Sequence, residues 1–237
     1  MPEEINRILT DSISDLLFCT EQSGEDNLQR EGVAEDKIFL VGNVMIDTLL
    51  KNRKKAEQSA ILGDLELQPG KYVVLTLHRP TNVDDPVAFG RILDGLDIIQ
   101  RELPIIFTIH PRTRKNLAGS DLADRVAGMK NLRLLDPAGY LDFLKLMASA
   151  KAVVTDSGGI QEETTILGVP CLTVRPNTER PVTIEIGTSR LVGADSAKIA
   201  AAWRDIQSGN WPAPQTPQLW DGKAADRIAE ILIEKLA

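Results

Sequence analysis

KAVVTDSGGIQEETTILGVPCLTVRPNTERPVTIEIG, residues Lys151 to Gly187, is the stretch whose reading decides the fold. It opens on a β-branched apolar run, Ala152 to Thr155, the pattern of a strand buried on both faces. Asp156-Ser157-Gly158-Gly159 breaks that run, and Ile160 to Leu167 reads as a helix ended by Gly168 ahead of Pro170. Strand, small-residue turn and helix together make an anion seat. Gly158 and Gly159 carry no Cβ, so a ligand can reach the backbone, and the unpaired N–H groups of a first helical turn point toward it. Glu163 stands four residues after Gly159 on the same helix face, its side chain leaning back toward the N-terminus. A carboxylate there repels phosphate but suits the hydroxyls of a ribose. The plainer alternative is that Ser157 is only an N-cap and the glycines only a tight turn. A second unit follows at once. Pro170 to Val174 is another apolar run, and Arg175 to Pro181 leads into a helix expected through Gly187, placing Thr178, Glu179 and Arg180 between strand and helix.

Composition narrows the field. The chain has 237 residues, 43% hydrophobic and 26% charged, enough for a buried core in an ordinary globular protein. A formal net charge of −7 and 4% aromatic content argue against a nucleic-acid surface, against base-stacking platforms and against attraction to anionic lipid. There is no apolar run of membrane-spanning length, and the N-terminus lacks the charged and apolar regions of a signal peptide, so a cytoplasmic location is expected. The two cysteines, Cys19 and Cys171, fall far apart within apparent strands and read as reduced core residues. With two histidines and no Cys/His cluster, no metal site is expected.

Read from its start, the chain gives a helix at Met1 to Thr10, a short strand at Leu16 to Thr20, a helix over Glu21 to Glu31, a strand at Lys37 to Val41 and a helix over Met45 to Lys55. That αβαβα piece is too small for a doubly wound sheet of its own. After Gln68-Pro69-Gly70 a regular alternation begins: strands at Tyr72 to Leu77, Ile105 to Ile109 and Asn131 to Leu135, with helices at Pro86 to Glu102, Arg112 to Leu117 and Tyr140 to Ser149. The two units already described come next, then a strand at Arg190 to Val192, a helix at Ser196 to Ser208 and a closing amphipathic helix from Gly222. Six strands alternating with helices predict an α/β protein with a parallel sheet and right-handed crossovers. Each strand exit is polar: His78-Arg79-Pro80-Thr81-Asn82 after the first, His110-Pro111-Arg112 after the second, Asp136-Pro137 after the third. Both histidines therefore occupy equivalent turns, and Arg79 and Arg112 are placed to clamp a diphosphate. Surface charges and satisfied structural histidines are the plainer reading of the same residues.

Taken together, LTLHRPTN, IHPR, TDSGGIQEE, TERPVT and LWDGKAADRIA resemble the non-hydrolysing UDP-N-acetylglucosamine 2-epimerases over nearly the whole chain. The resemblance implies a Rossmann-like doubly wound sheet in a glycosyltransferase-B-like architecture, and interconversion of UDP-N-acetylglucosamine and UDP-N-acetylmannosamine without nicotinamide or metal. The implied route is anti elimination of UDP to 2-acetamidoglucal, followed by re-addition. On this resemblance Ser157, Gly158 and Gly159 match the diphosphate turn, Glu163 the ribose carboxylate, His78 the active-site histidine with Arg79 beside it, and Glu3 an acidic proton-transfer residue. Asn82, His110, Arg112 and the Thr178-Glu179-Arg180 turn are expected at the diphosphate or sugar. Phe143, Tyr140 and the Leu135–Pro137 turn are expected to flank the uracil, although Tyr140 and Phe143 also stand at helical core spacing.

The resemblance also implies an incomplete first domain, because the family's glycine-rich phosphate loop, catalytic Asp and second catalytic Glu precede the Pro-Glu-Glu segment. The expected organisation is 1–50 as the tail of an N-terminal Rossmann-like domain, 51–70 as a hinge, 71–221 as a UDP-binding domain and 222–237 as a closing helix. Met1 to about Leu50 is expected to be poorly supported or to pair with another copy, and the partner is expected to be a homodimer mate or a separate N-terminal half. Little activity is expected of the chain alone. A glycosyltransferase of the same architecture and a non-catalytic UDP-binding module stand as alternatives.

Overall fold

A computed structural model of the chain describes residues 2–118 and 121–236, with side chains from residue 4 onward. The chain divides into two compact units, residues 52–216 and residues 1–51 with 217–237.

In the larger unit six parallel strands form one sheet: β3 (Val73–Thr76), β4 (Ile105–Thr108), β5 (Leu132–Leu135), β6 (Ala152–Thr155), β7 (Cys171–Thr173) and β8 (Ser189–Leu191), in the order β5-β4-β3-β6-β7-β8. Every residue of β4, β6 and β7 is buried, as expected where helices cover both faces of a parallel sheet. Edge strand β5 alternates less and exposes Arg133 and Leu134. α4 (Ile61–Asp64) precedes β3; between strands run α5 (Pro80–Val83), α6 (Pro86–Gln100), α7 (Pro111–Ala118), α8 (Leu122–Gly128), α9 (Tyr140–Ala148), α10 (Gly158–Leu167) and α11 (Val182–Glu185); and α12 (Ser196–Ser208) follows β8. The doubly wound α/β pattern expected from the alternation is present.

Local chemistry sets the helix ends. Asp85 and Asp195 cap α6 and α12, each accepting from the amides two and three residues on. Gly168 and Gly209 end α10 and α12 in the left-handed conformation, at φ 71° and 76°. Four details differ from the sequence expectations. α10 starts at Gly158 rather than Ile160, so the glycines are its first turn and not a turn before it. The helix expected through Gly187 is the single turn α11, which ends at Glu185; Gly187 beyond it lies where a Cβ would sit 2.5 Å from Thr165 Oγ1 and Thr183 O. The polar exit after β3 contains the short helix α5, which buries Asn82 and Val83. Residues 52–70, expected as a hinge, lie in the larger unit and include α4, while 217–221 fall in the smaller one.

The smaller unit holds α1 (Pro2–Ile13), β1 (Leu17–Cys19), α2 (Gln22–Arg30), β2 (Ile38–Leu40), the start of α3 (Val44–Ala56) and α13 (Ala224–Leu236). β1 and β2 pair in parallel, and Leu17, Cys19, Leu28 and Ile38 form a small core. The C-terminal residues close onto it. Trp220 Nε1 donates to Thr20 O at 2.8 Å, and Asp47 accepts from the amides of Ala224 and Ala225, capping α13 from α3. α1 is held differently: Arg7 reaches Glu4, Asp11 and Glu31, each at 2.7 Å, while Ile5, Ile8, Leu9 and Ile13 face outward at 61%, 48%, 60% and 84% exposure. Exposed ion pairs of this kind contribute little, and these four apolar side chains of α1 add little packing of their own.

In the larger unit α6 and α12 cross at Gly95, where a Cβ would stand 2.7 to 2.9 Å from three atoms of Ile199. Gly95→Ala is expected to destabilise this unit by about 1–3 kcal/mol through overpacking. Thermal denaturation of the variant against the wild type checks this.

Candidate nucleotide-binding site

Thr76 and Thr155 are the last partners in the register of β3 on β6, so Leu77-His78 and Asp156 leave the sheet side by side. The chain order reverses between these two strands, with β4 and β5 on one side and β7 and β8 on the other. Open α/β sheets form their ligand crevice at such a reversal, beyond the carboxyl ends of the strands.

Asp156 is fully buried there and satisfied by groups from two strand exits. Its carboxylate accepts from the backbone amides of His78 (3.2 Å) and Arg79 (2.9 Å) and from Asn82 Nδ2 (3.0 Å), and lies 2.9 Å from His78 Nδ1. Asn82 Nδ2 also donates to Val174 O, beyond β7, at 2.9 Å, and Arg79 Nε donates to Asp156 O at 3.0 Å. Burial alone would push the Asp156 carboxyl up, but the bonds from His78, Asn82 and the Arg79 amide outweigh it and hold the group below its ordinary value. His78 moves the other way: its bond to Asp156 raises its pKa above 6.5 against partial burial.

Beside this cluster α10 begins. Ser157 occupies its N-cap position, yet the hydroxyl makes no capping bond, so it does not satisfy the helix's own amides. Neither Gly158 nor Gly159 has positive φ, so the backbone conformation does not require glycine. A Cβ on Gly158 would meet nothing within 4 Å, which makes this first turn open to an incoming group. An anion set on these amides would meet the positive end of the helix dipole.

Glu163, one turn further along, is 7% exposed and accepts from the Tyr140 hydroxyl of α9 at 3.1 Å. Burial raises the Glu163 carboxyl, partly offset by the Tyr140 bond, while burial and the nearby carboxylate push Tyr140 up to about 12. Phe143 is half-buried one turn after Tyr140. The turn after β7 is tied to α10 as well. Thr178 Oγ1 donates to the buried Gln161 at 2.9 Å, and Arg180 Nε lies 2.5 Å from the buried Glu162. Glu179 accepts from the buried Arg175 at 2.7 Å, and Arg79 Nη2 approaches the same carboxylate at 3.8 Å.

The geometry therefore brings together His78, Arg79, Asn82, Ser157, Gly158, Gly159, Glu163, Thr178, Glu179 and Arg180. His110 and Arg112 sit further out, beyond β4, where Arg112 Nη2 pairs with Asp84 at 2.5 Å and His110 Nδ1 accepts from the Arg112 amide. A cleft of about 400 Å³ opens on that side, lined by Ile109, Pro111, Arg114, Asp136 and Pro137 among others. Glu3 belongs to the smaller unit, and its side chain lies outside the described residues. Asp156, Arg175, Gln161 and Glu162 were not singled out from the sequence. An Asp directly after a buried strand was the one available signal for the first, but its partners are 74 to 78 residues away. Among the described residues no group of three His, Cys, Asp or Glu side chains is placed to hold a metal ion, and no helix is long and apolar enough to cross a membrane.

A parallel sheet with its reversal at β3 and β6, lined by an open helix start, defines an α/β protein of the glycosyltransferase-B-like class. The family model for UDP-N-acetylglucosamine 2-epimerase matches residues 1–233, and the chain belongs to that family of carbohydrate isomerases. A UDP-N-acetylglucosamine 2-epimerase from Methanocaldococcus jannaschii is 43% identical over 98% of this chain, and a UDP-2,3-diacetamido-2,3-dideoxy-D-glucuronate 2-epimerase from Pseudomonas aeruginosa is 39% identical over 98%. The crystal structure of the Methanocaldococcus jannaschii UDP-GlcNAc 2-epimerase in complex with UDP-GlcNAc and UDP superposes with a TM-score of 0.86, covering 99% of this chain and 65% of that one. The chain spans 64% and 63% of the length of the two relatives.

Glu163 yields a pH test. A carboxyl raised on folding contributes stability below its unfolded pKa and loses it as pH rises through the folded value. Ionised Glu163 therefore costs stability at neutral pH, and Glu163→Gln is expected to melt higher than the wild type there. The difference should close as pH falls toward 4.5, read by thermal denaturation across a pH series.

Proposed function

We propose that the larger unit binds the UDP moiety of UDP-N-acetylglucosamine and supplies the nucleotide half of a 2-epimerase site. The observation that carries this is the open first turn of α10 beside His78 and Glu163: amides and an imidazole for the diphosphate, a carboxylate for the ribose. Ser157, Gly158 and Gly159 take the phosphates, and Glu163 exchanges or shares its Tyr140 bond with the ribose hydroxyls. Phe143 and the Leu135–Pro137 turn flank the uracil. Arg79, Asn82 and the Thr178-Glu179-Arg180 turn border the diphosphate and sugar, with His110 and Arg112 at the outer edge. No metal or nicotinamide enters the scheme.

In the reaction so assigned, a base removes the C2 proton and the C1–O bond breaks with its electron pair passing to the β-phosphate oxygen, leaving 2-acetamidoglucal and UDP. UDP then re-adds at C1 while C2 takes a proton on the opposite face. His78 meets the charge on the departing diphosphate. Glu3 is assigned to proton transfer. Since elimination depends on groups placed around the whole sugar, weak or absent turnover by these 237 residues alone is part of the reading.

Calorimetric titration with UDP tests the nucleotide half directly. Binding is expected, and Ser157→Ala combined with Glu163→Ala should abolish it. Gly158→Ala separates site from scaffold: alanine is the better helix former by up to about 1 kcal/mol, so Tm should hold or rise. Affinity should nevertheless fall roughly tenfold, about 1.4 kcal/mol, because the new methyl enters the phosphate seat. A wild-type chain that gives no UDP binding, or an alanine variant that binds as tightly, would remove the assignment.

A further inference from the structure

We propose that Asp156 is a positioning residue for His78: held rigid in the sheet, it fixes the imidazole through Nδ1 and turns Nε2 toward the diphosphate. The inference rests on the nucleotide reading above and deepens it.

The carboxylate and the imidazole have opposite surroundings. Asp156 is 0% exposed, whereas the His78 side chain keeps 45% of its surface. The carboxylate cannot turn to follow a wandering ring, because the amides of His78 and Arg79 and the Asn82 amide group already hold its oxygens. His78 is thus presented with an immobile acceptor from the neighbouring strand exit. Once Nδ1–H is engaged by Asp156, Nε2 is the ring nitrogen left to meet a ligand, a donor only in the imidazolium, and among the described residues it has no protein partner.

The charges around the ring favour the imidazolium. Arg79, its neighbour in sequence, is the cation that would expel a proton. Its Nε is turned onto Asp156 O, and its Nη2 lies 3.8 Å from Glu179, which Arg175 holds from behind at 2.7 Å. Asp156 is the anion in direct contact, and the resulting pKa of His78 is raised, with the Asp156 bond the largest cause. An imidazolium donor to a phosphate oxygen makes a shorter and stronger bond than a neutral one. A purely structural Asp156 would need only the amides and Asn82, and substituting it would weaken ligand binding equally at every pH.

The two roles are separated by a titration and a binding series. The ring 15N shifts of His78 are followed with pH in the ligand-free chain, with His110, the only other histidine, as internal reference. UDP-N-acetylglucosamine is the binding probe, since its diphosphate diester does not titrate in the range used. In the wild type His78 is expected to titrate above 6.5, and affinity to fall as pH rises through the same value. Asp156→Asn should move both the titration and the binding limb to lower pH together. It should bind nearly as the wild type below both limbs and roughly tenfold more weakly between them, about 1.4 kcal/mol. His78→Gln should bind with no limb at all. A wild-type His78 titrating at or below 6.5, or an Asp156→Asn chain with an unmoved titration, overturns the proposal. Should Asp156→Asn fail to fold, the wild-type titration and the His78→Gln series still decide it. A wild type that binds no UDP-sugar sinks the nucleotide reading, while the titration by itself judges the hold of Asp156 on His78.

Discussion

One buried carboxylate ties three strand exits of the larger unit together. Asp156 closes β6 and receives the amides of His78 and Arg79, the second and third residues after β3. Asn82, which it orients, bonds the carbonyl that follows β7. A fully buried carboxylate without partners would be severely penalised, so the groups that surround Asp156 are a condition of folding as well as of geometry. Because the same residues carry His78 and lead straight into α10, the sheet cannot form without placing an imidazole beside an open helix start. Scaffold and site share one constraint.

Around that point the charges are divided by distance along α10. Its first turn presents backbone amides, with no capping hydroxyl and no Cβ in the way. Its second turn presents Glu163, buried, raised in pKa and partnered by Tyr140. A positive beginning and an acidic second turn suit a ligand that is anionic at one end and rich in hydroxyls at the other. The arginines nearby are matched with carboxylates, Arg175 to Glu179 and Arg180 to Glu162, which fixes the turn after β7. In a protein of net charge −7, local pairing of this kind keeps the crevice from being set by the overall field.

The smaller unit is a small α/β layer. Two parallel strands, a core of a few residues and a C-terminal helix capped by Asp47 hold together, yet α1 turns an apolar stripe outward and is fastened by Arg7. The relatives are longer by about a third of their length, and family membership is secure on the matched residues.

Much of this was legible in the chain itself. Apolar runs located all six strands of the main sheet to within two residues, since a strand buried on both faces has little freedom in composition. Gly168 ahead of Pro170 located the end of α10. α5, α8 and the brevity of α11 were not legible, because helices of one or two turns carry too few residues to show a period. The candidate site divided in the same way. Ser157, the glycines and Glu163 are neighbours in sequence, and their spacing alone places them on one helix start. Asp156 and His78 are 78 residues apart, and only the pairing of β3 with β6 makes them partners. Arg112 sat in a turn equivalent to that of Arg79, but β4 lies one strand away from the reversal, and its guanidinium goes to Asp84. Local pattern thus determined which elements form and which turn is open. Strand order, a property of the whole sheet, decided which polar residues meet, because hydrogen bonds and charge pairs act only across the few ångströms that tertiary packing brings within reach.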